Sequence, residues 1–165
     1  CRAGLLSVTG DTCLLLRKDL RGPLPPAPWP AGIRVVSLSD SCLPDAHALL
    51  VEGYAPGHGS VEPLELWREA LIHDAEYDPQ LCFLAMQDAR VVGVAQGWTS
   101  AYLKDLVVHP HYQGLGIASA LLAHVFSVFK QRGEACVDLK VMAHNLKACC
   151  LYTKHGMALV QRLSL

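Results

Sequence analysis

Residues 107–122 read VVHPHYQGLGIASALL. A strand ends at Val108, Pro110 stops its ladder, and Gln113-Gly114-Leu115-Gly116-Ile117-Ala118 opens a helix expected over 114–131. Ala118, Leu121, Leu122, Val125 and Phe129 line one face of that helix at 3.6-residue spacing. Glycines at 114 and 116 remove the side chains that would keep a ligand off the backbone. The first-turn N–H groups have no partner inside the helix and point outward. With the helix dipole behind them they can bind a phosphate without any charged side chain, which suits a stretch with no Lys or Arg from Leu106 to Phe129. The same residues would also serve as a glycine-softened turn into a core helix. Two other phosphate motifs do not fit: no Lys follows Gly116 as a Walker loop requires, and Ser119 stands where a dinucleotide fingerprint needs its third glycine.

Around this turn the chain alternates strands and helices. Upstream, IRVVSL (33–38) reads as a strand. Ser39 or Asp40 can cap a helix over 42–54, and a loop APGHGS (55–60) follows. Ser60 can cap a second helix with Pro63 in its first turn and Leu64, Trp67 and Leu71 on its buried face. Residues 81–87 and 90–98 alternate around a tight turn at Asp88-Ala89, a hairpin pattern. A further strand covers 101–108. Downstream come a strand at 135–142, a helix at 145–154 and a last strand at 157–164. This order mixes an antiparallel meander with one crossover, and predicts an α+β fold: a central mixed sheet with helices on both faces. At the N-terminal end PLPPAPWP (23–30) holds five of the ten prolines and can form neither ladder nor helix. It divides an N-terminal hairpin-like segment (1–30, linker included, with its turn at Gly10-Asp11) from a main domain at 31–165.

Composition narrows the classes. The 165 residues are 52% hydrophobic and 18% charged, with 14 Lys+Arg against 15 Asp+Glu and a net charge of −1. That is one domain's worth of chain with ample core-forming residues. There is no basic field for nucleic acid or an anionic membrane surface. The longest uncharged stretch, 106–129, carries Pro110, Gly114, Gly116 and three histidines, which disfavours a membrane span. No signal peptide opens the chain, and no initiator Met is present. The seven cysteines, Cys1, Cys13, Cys42, Cys82, Cys136, Cys149 and Cys150, are odd in number and irregularly spaced, without a CxxC pair. They read as reduced thiols in a cytoplasmic protein, with no metal site and no disulfide framework.

A second block runs from Asn145 to Met157, NLKACCLYTKHGM. Asn145 can cap a helix directly after a strand, Ala148, Leu151 and Tyr152 share a face, and Gly156 ends the helix. Gln113 to Ala118 fit [Q/R]-x-x-G-x-[G/A], and Asn145 to Met157 fit N-x-x-A-x-x-x-Y-x-x-x-G-[F/M]. The ordered pair, with one strand between, resembles the GNAT superfamily of acyl-CoA-dependent N-acyltransferases. The close likeness covers about 101–158, and the element order agrees back to 33.

The resemblance implies an N-acetyltransferase that moves an acetyl group from acetyl-CoA to a primary amine by direct attack in a ternary complex. A non-catalytic acyl-CoA-binding module on the same fold is the alternative. It implies that the strand near 103–108 is bulged and splays from strand 135–142. The pantetheine arm lies in the split against the backbone of Leu106, Val107 and Val108. The amides of Gln113, Gly114, Leu115, Gly116, Ile117, Ala118 and Ser119 hold the diphosphate. Asn145 bonds the pantetheine or orders the gap, and Lys147 or Lys154 meets the adenosine 3′-phosphate. Tyr152 is the general acid toward the leaving thiolate, and the N–H of Leu106 or Val108 serves the oxyanion. Asp105 is the first candidate base, with Glu52, Glu62, His58 and His109 behind it. Tyr54 and His58, flanking the loop between the first two helices, are expected to line the acceptor site. The acceptor is a small-molecule or peptide amine, and a homodimer through the last strand fits the pattern.

Two features depart from that pattern. Gln113 replaces the commoner Arg. The chain also ends after one strand where the family usually has two. Residues 13–19 are therefore expected to fill the missing place, from the same subunit or by exchange with a neighbour. The competing expectation makes 1–20 the tail of an upstream domain.

Overall fold

The computed structural model describes residues 12–54 and 60–164. In chain order these form β1 (Thr12–Asp19), β2 (Ile33–Ser37), α1 (Leu43–Gly53), α2 (Leu64–Ile72), β3 (Tyr77–Gln87), β4 (Arg90–Trp98), β5 (Tyr102–Val108), α3 (Ile117–Gln131), β6 (Cys136–Met142), α4 (Leu146–Lys154) and β7 (Ala158–Ser164). Single 3₁₀ turns at Asp40–Cys42 and Pro110–Tyr112 precede α1 and α3. The strands make one sheet in the order β2-β3-β4-β5-β6-β1-β7. Only β5 and β6 run parallel, because α3 carries the chain across between them; every other neighbour pair is antiparallel. The fold is the α+β arrangement that the alternation of patterns predicts.

Period-two alternation on β3 sorts its side chains between two cores. Cys82, Leu84 and Met86 join Leu43, Leu49, Leu50, Trp67 and Leu71 of α1 and α2. Phe83 and Ala85 join Ile117, Leu121, Val125 and Phe129 of α3 and Tyr152 of α4. Each such Leu- or Phe-sized side chain contributes about 1.5–3 kcal/mol when fully buried. Both faces of the sheet are therefore covered, and β5 is held from either side at the level where the site forms.

Residues 12–19 enter the sheet as the strand expected at 13–19, within the same chain. β1 lies between β6 and β7, with Leu14 opposite Val141 on one side and Arg162 on the other. Arg17 reinforces the register through a bidentate pair with Asp138 at 2.7 and 2.9 Å. The other arm of the expected hairpin, and its turn at Gly10-Asp11, lie outside the described residues. The proline-rich segment forms neither helix nor strand, as its φ restrictions require. It runs along α3: Lys130 Nζ donates to Gly22 O near one end of the helix, the Trp29 ring meets His124 edge-on at 6.2 Å, and Pro30 comes to Gly116 at the other end.

Four boundaries differ from the sequence reading. α3 begins at Ile117 and not at 114, because Gly114 and Gly116 take φ of +78° and +91°, left-handed values that no helix turn accepts. α2 begins at Leu64, with Pro63 extended at ψ 152° in the cap position and Ser60 outside the helix. A proline disfavours helical geometry at the residue before it, so the helix cannot extend back to Glu62. Neither Ser39 nor Asp40 caps α1; the chain enters it through the 3₁₀ turn. β3 starts at Tyr77 and not at 81, its register jumping from Tyr77/Trp98 to Cys82/Gln96. That irregularity accommodates Pro79, which has no N–H for the ladder.

Candidate active site

β5 and β6 pair only at Tyr102 and Asp138, where Asp138 N–H donates to Ala101 O at 3.0 Å. Beyond that rung they part. On its other side β5 keeps its ladder with β4 through Gly93/Val108, broken once where Lys104 is the extra residue between Leu103 and Asp105. An extra residue bends and twists a strand locally. The bulge expected on this strand is therefore present, at Lys104. The gap opens into a groove of about 370 Å³. Leu106, Val107, Val108 and Gly53 form one wall, and Asn145, Lys147, Ala148, Leu151 and Tyr152 the other. Gln113, Gly114, Gly116, Ile117, Ala118 and Ser119 form its end.

Gly114 and Gly116 turn the chain so that the amides of 114–119 meet no backbone acceptor among the described residues. The turn before them is fixed by His109, whose Nδ1 accepts from His111 N–H at 3.1 Å. Gln113 Nε2 donates to Val108 O at 3.3 Å, and Lys147 Nζ donates to Gln113 Oε1 at 2.9 Å. Ser119 Oγ lies 2.9 Å from His155 Nε2, a second tie between α3 and the end of α4. Asn145 caps α4 as its position predicts, Oδ1 accepting from Ala148 N–H at 3.2 Å, and Gly156 closes the helix at φ +85°. These residues fit a diphosphate-bearing ligand: donors converge at one end, and a narrow, largely apolar slot leads from it.

At the other end of the groove Tyr152 forms part of the wall; Asp105 and Tyr54 pair with each other close by but do not line the groove. Asp105, 8% exposed, accepts a hydrogen bond from the Tyr54 hydroxyl. Burial pushes the Asp105 carboxyl above the usual carboxylate range, opposed by the Tyr54 bond and the Lys104 charge. Burial and then the Asp105 charge drive Tyr54 far above an ordinary phenol, so it stays protonated. Tyr152, 9% exposed, has no hydrogen-bond partner for its hydroxyl among the described residues. Burial, with smaller contributions from Cys149 and Asp105, raises it to about 12. It is a phenol with its proton on and its donor uncommitted.

The remaining candidates fall elsewhere. Glu52 Oε2 lies 3.5 Å from His109 Nε2, and both belong to a different, larger hollow of about 740 Å³ between α1 and the β3–β4 turn. Because His109 Nδ1 accepts from His111, its neutral ring carries the proton on Nε2 and presents it to Glu52; Arg90 at 3.2 Å is then a close neighbour and not a donor. Glu62 is fixed by its backbone, its carbonyl accepting from His47 Nε2 at 2.7 Å. The Leu115 side chain, 58% exposed, faces away from the groove. His58 lies outside the described residues. The sequence reading missed Gly53, Tyr112, Ala148 and Leu151 as lining residues. Ala148 and Leu151 were legible from their shared face with Tyr152. Gly53 was not: a Cβ there would collide with Val107, a contact between residues far apart in the chain. Among the described residues no three His, Cys, Asp or Glu side chains converge as a metal site would require.

The GNAT acetyltransferase family model matches residues 44–157, and the chain belongs to that family. It is 33% identical over 92 residues to an Arabidopsis thaliana N-alpha-acetyltransferase, MAK3, covering 52% of this chain and 48% of that protein. It is 30% identical over 158 residues to mycothiol acetyltransferase of Brachybacterium faecium, covering 87% of this chain and 47% of that one. The Escherichia coli [ribosomal protein bS18]-alanine N-acetyltransferase is 30% identical over 93 residues, 54% of this chain and 63% of that protein. The chain thus spans about half to 63% of the length of these relatives. Among solved structures, a GCN5-related N-acetyltransferase from Sphaerobacter thermophilus superposes with a TM-score of 0.82 at 26% identity, over 94% of this chain and 50% of that one. An Arabidopsis thaliana protein solved with the bisubstrate analogue CoA-Ac-MVNAL shares the fold at a TM-score of 0.62 and 21% identity, over 79% and 86% of the two chains.

Proposed function

We propose that this chain is an acetyl-CoA-dependent N-acetyltransferase acting on a primary amine. The observation that carries the reading is the split between β5 and β6, which runs from the glycine-lined cradle to Tyr152, with the Tyr54–Asp105 pair close by. Acetyl-CoA in that split would lay its diphosphate on the amides of 113–119 and its pantetheine along the backbone of Leu106, Val107 and Val108. Asn145, already committed to its cap, would order the opposite wall.

The chemistry follows from the states of Tyr54, Asp105 and Tyr152. The acceptor amine, whose ordinary pKa is about 10.4, arrives protonated near pH 7 and must lose a proton before it attacks. Asp105 is the base in this reading, and Tyr54 holds the carboxylate in place. As the amine nitrogen bonds to the thioester carbonyl carbon, negative charge on the oxygen is met by the N–H of Leu106 or Val108. Collapse breaks the carbon–sulfur bond, and Tyr152 gives its proton to the departing thiolate. Tyr54, with the unplaced His58, would bound the acceptor. Relatives named for protein N-termini and for mycothiol leave both peptide and small-molecule amines as acceptor classes.

Assay of free thiol from acetyl-CoA against an amine panel tests this directly. Amine-dependent release that Tyr152→Phe suppresses supports it. Binding of acetyl-CoA without release under any amine would turn the reading to a sensor on the same scaffold. The described cysteines are free thiols, which suits a reducing cytoplasm, and no helix among the described residues is long and apolar enough to cross a membrane. Pairing of two copies along the free edge of β7 belongs to the same reading and is checked by the molecular mass in solution.

A further inference from the structure

We infer that Lys147 supplies the cation at the diphosphate subsite, and that Gln113 holds it there before the ligand arrives. The inference rests on the acetyl-CoA reading above and assigns to Lys147 a different phosphate from the adenosine 3′-phosphate. Among the described residues that line the groove, from which Asp105 is absent, Lys147 carries the only charged side chain. Its Nζ is 2.9 Å from Gln113 Oε1, at the residue where the amide cradle begins. Gln113 is itself anchored, its Nε2 donating to Val108 O at 3.3 Å, so the acceptor oxygen is turned toward α4. The ammonium has three donors and gives one to Gln113. No other partner for it occurs among the described residues, which leaves two donors for a ligand at the mouth.

The residue at 113 follows from this arrangement. An Arg there would place a second cation against Lys147 and repel it. A Gln accepts from it instead and adds no charge. The positive charge that an arginine would supply from the loop comes here from the first turn of α4. Lys154 cannot substitute: it lies seven residues further along the same helix, about 10 Å by helical rise.

The test is titration of coenzyme A and of 3′-dephospho-coenzyme A into the wild-type chain, Lys147→Met and Lys147→Arg. Loss of one charge-assisted contact is expected to weaken binding roughly tenfold. The loss should be equal for the two ligands, because both carry the diphosphate. Lys147→Arg should recover most of it, and the affinity of Lys147→Met should respond less to added salt. A loss confined to coenzyme A would assign Lys147 to the 3′-phosphate and overturn the inference, as would unchanged affinity for both. Melting temperatures within about 2 °C of wild type separate a lost contact from lost folding, since surface substitutions typically stay within about 0.5 kcal/mol. Wild-type protein that binds neither ligand removes the acetyl-CoA reading itself.

Discussion

At its Gly114–Gly116 end the groove is built of peptide, and at its Tyr152 end the proposed chemistry depends on side chains. The cradle needs two glycines at positive φ and a row of amides, with the Leu115 side chain between the glycines exposed. The proposed chemistry needs three particular functional groups, the buried Asp105 and Tyr152 and the half-buried Tyr54, brought from three separate parts of the chain. A backbone site tolerates change in most of its residues and fails only where φ is demanding. A side-chain site fails when any one group is altered. The two ends should therefore respond to mutation in opposite ways.

The largest effect falls on the side-chain end. Tyr152→Phe is expected to lower kcat by about 10²–10⁴-fold, the usual worth of a positioned acid, while acetyl-CoA affinity stays within about twofold. A variant with full kcat would move the acid elsewhere. Asp105→Asn should cost about 10²-fold or more in kcat and should also change the pH profile. Since burial raises the Asp105 carboxyl, the base form is lost as pH falls through a value above the ordinary carboxylate range. Wild-type activity should show that acid limb, and Asp105→Asn should lack it. Tyr152, at about 12, keeps its proton through the ordinary tyrosine range, so no alkaline limb from it is expected below about pH 10.

Asp105 also marks a conflict between activity and stability. A carboxyl whose folded-state pKa is raised contributes most stability below its unfolded pKa and costs stability as pH rises through the folded one. Asp105→Asn should accordingly raise the melting temperature at pH 7 relative to wild type, with the difference shrinking at about pH 4 and below. An Asn variant less stable than wild type at both pH values would mean that the carboxylate is held by partners stronger than Tyr54.

Smaller effects test the peptide end. Gly116 has φ +91°, and a Cβ there would meet only Pro30 Cγ at 4.0 Å, an ordinary contact, so Gly116→Ala is strained by conformation and not by a clash. Left-handed strain of about 1–2 kcal/mol should weaken acetyl-CoA binding by roughly tenfold with kcat retained, read as KM against kcat. Leu115→Ala, one residue away, should change KM by less than about twofold, because only the amide of residue 115 belongs to the cradle. If Leu115→Ala costs as much as Gly116→Ala, the side chains matter at this end as well, and the contrast between the two ends dissolves.

Much of this was legible before any coordinates. The hairpin around Asp88-Ala89, the cap at Asn145, the stop at Gly156 and the cradle glycines all depend on backbone preferences over a few residues. Tyr54 and Asp105 were both named as candidates, but nothing in their surroundings said that one would hydrogen-bond the other across 51 positions. Glu52 and His109 stood behind Asp105 as candidate bases. Their mutual contact and their place in the second hollow are consequences of packing.

Local chemistry thus settled most of the elements, the helix stop at Gly156 and the fold class, because dihedral restrictions and apolar periodicity act within a turn or two of chain. Two other things were implied by the resemblance and came about only in assembly: that β1 enters between β6 and β7, and that β5 and β6 meet at one rung. A third, the Tyr54 hydroxyl on the buried Asp105 carboxylate, came from assembly alone. Those depend on contacts between residues such as Arg17 and Asp138, 121 positions apart. No short-range preference encodes such a contact; it exists only when the whole sheet has closed around it.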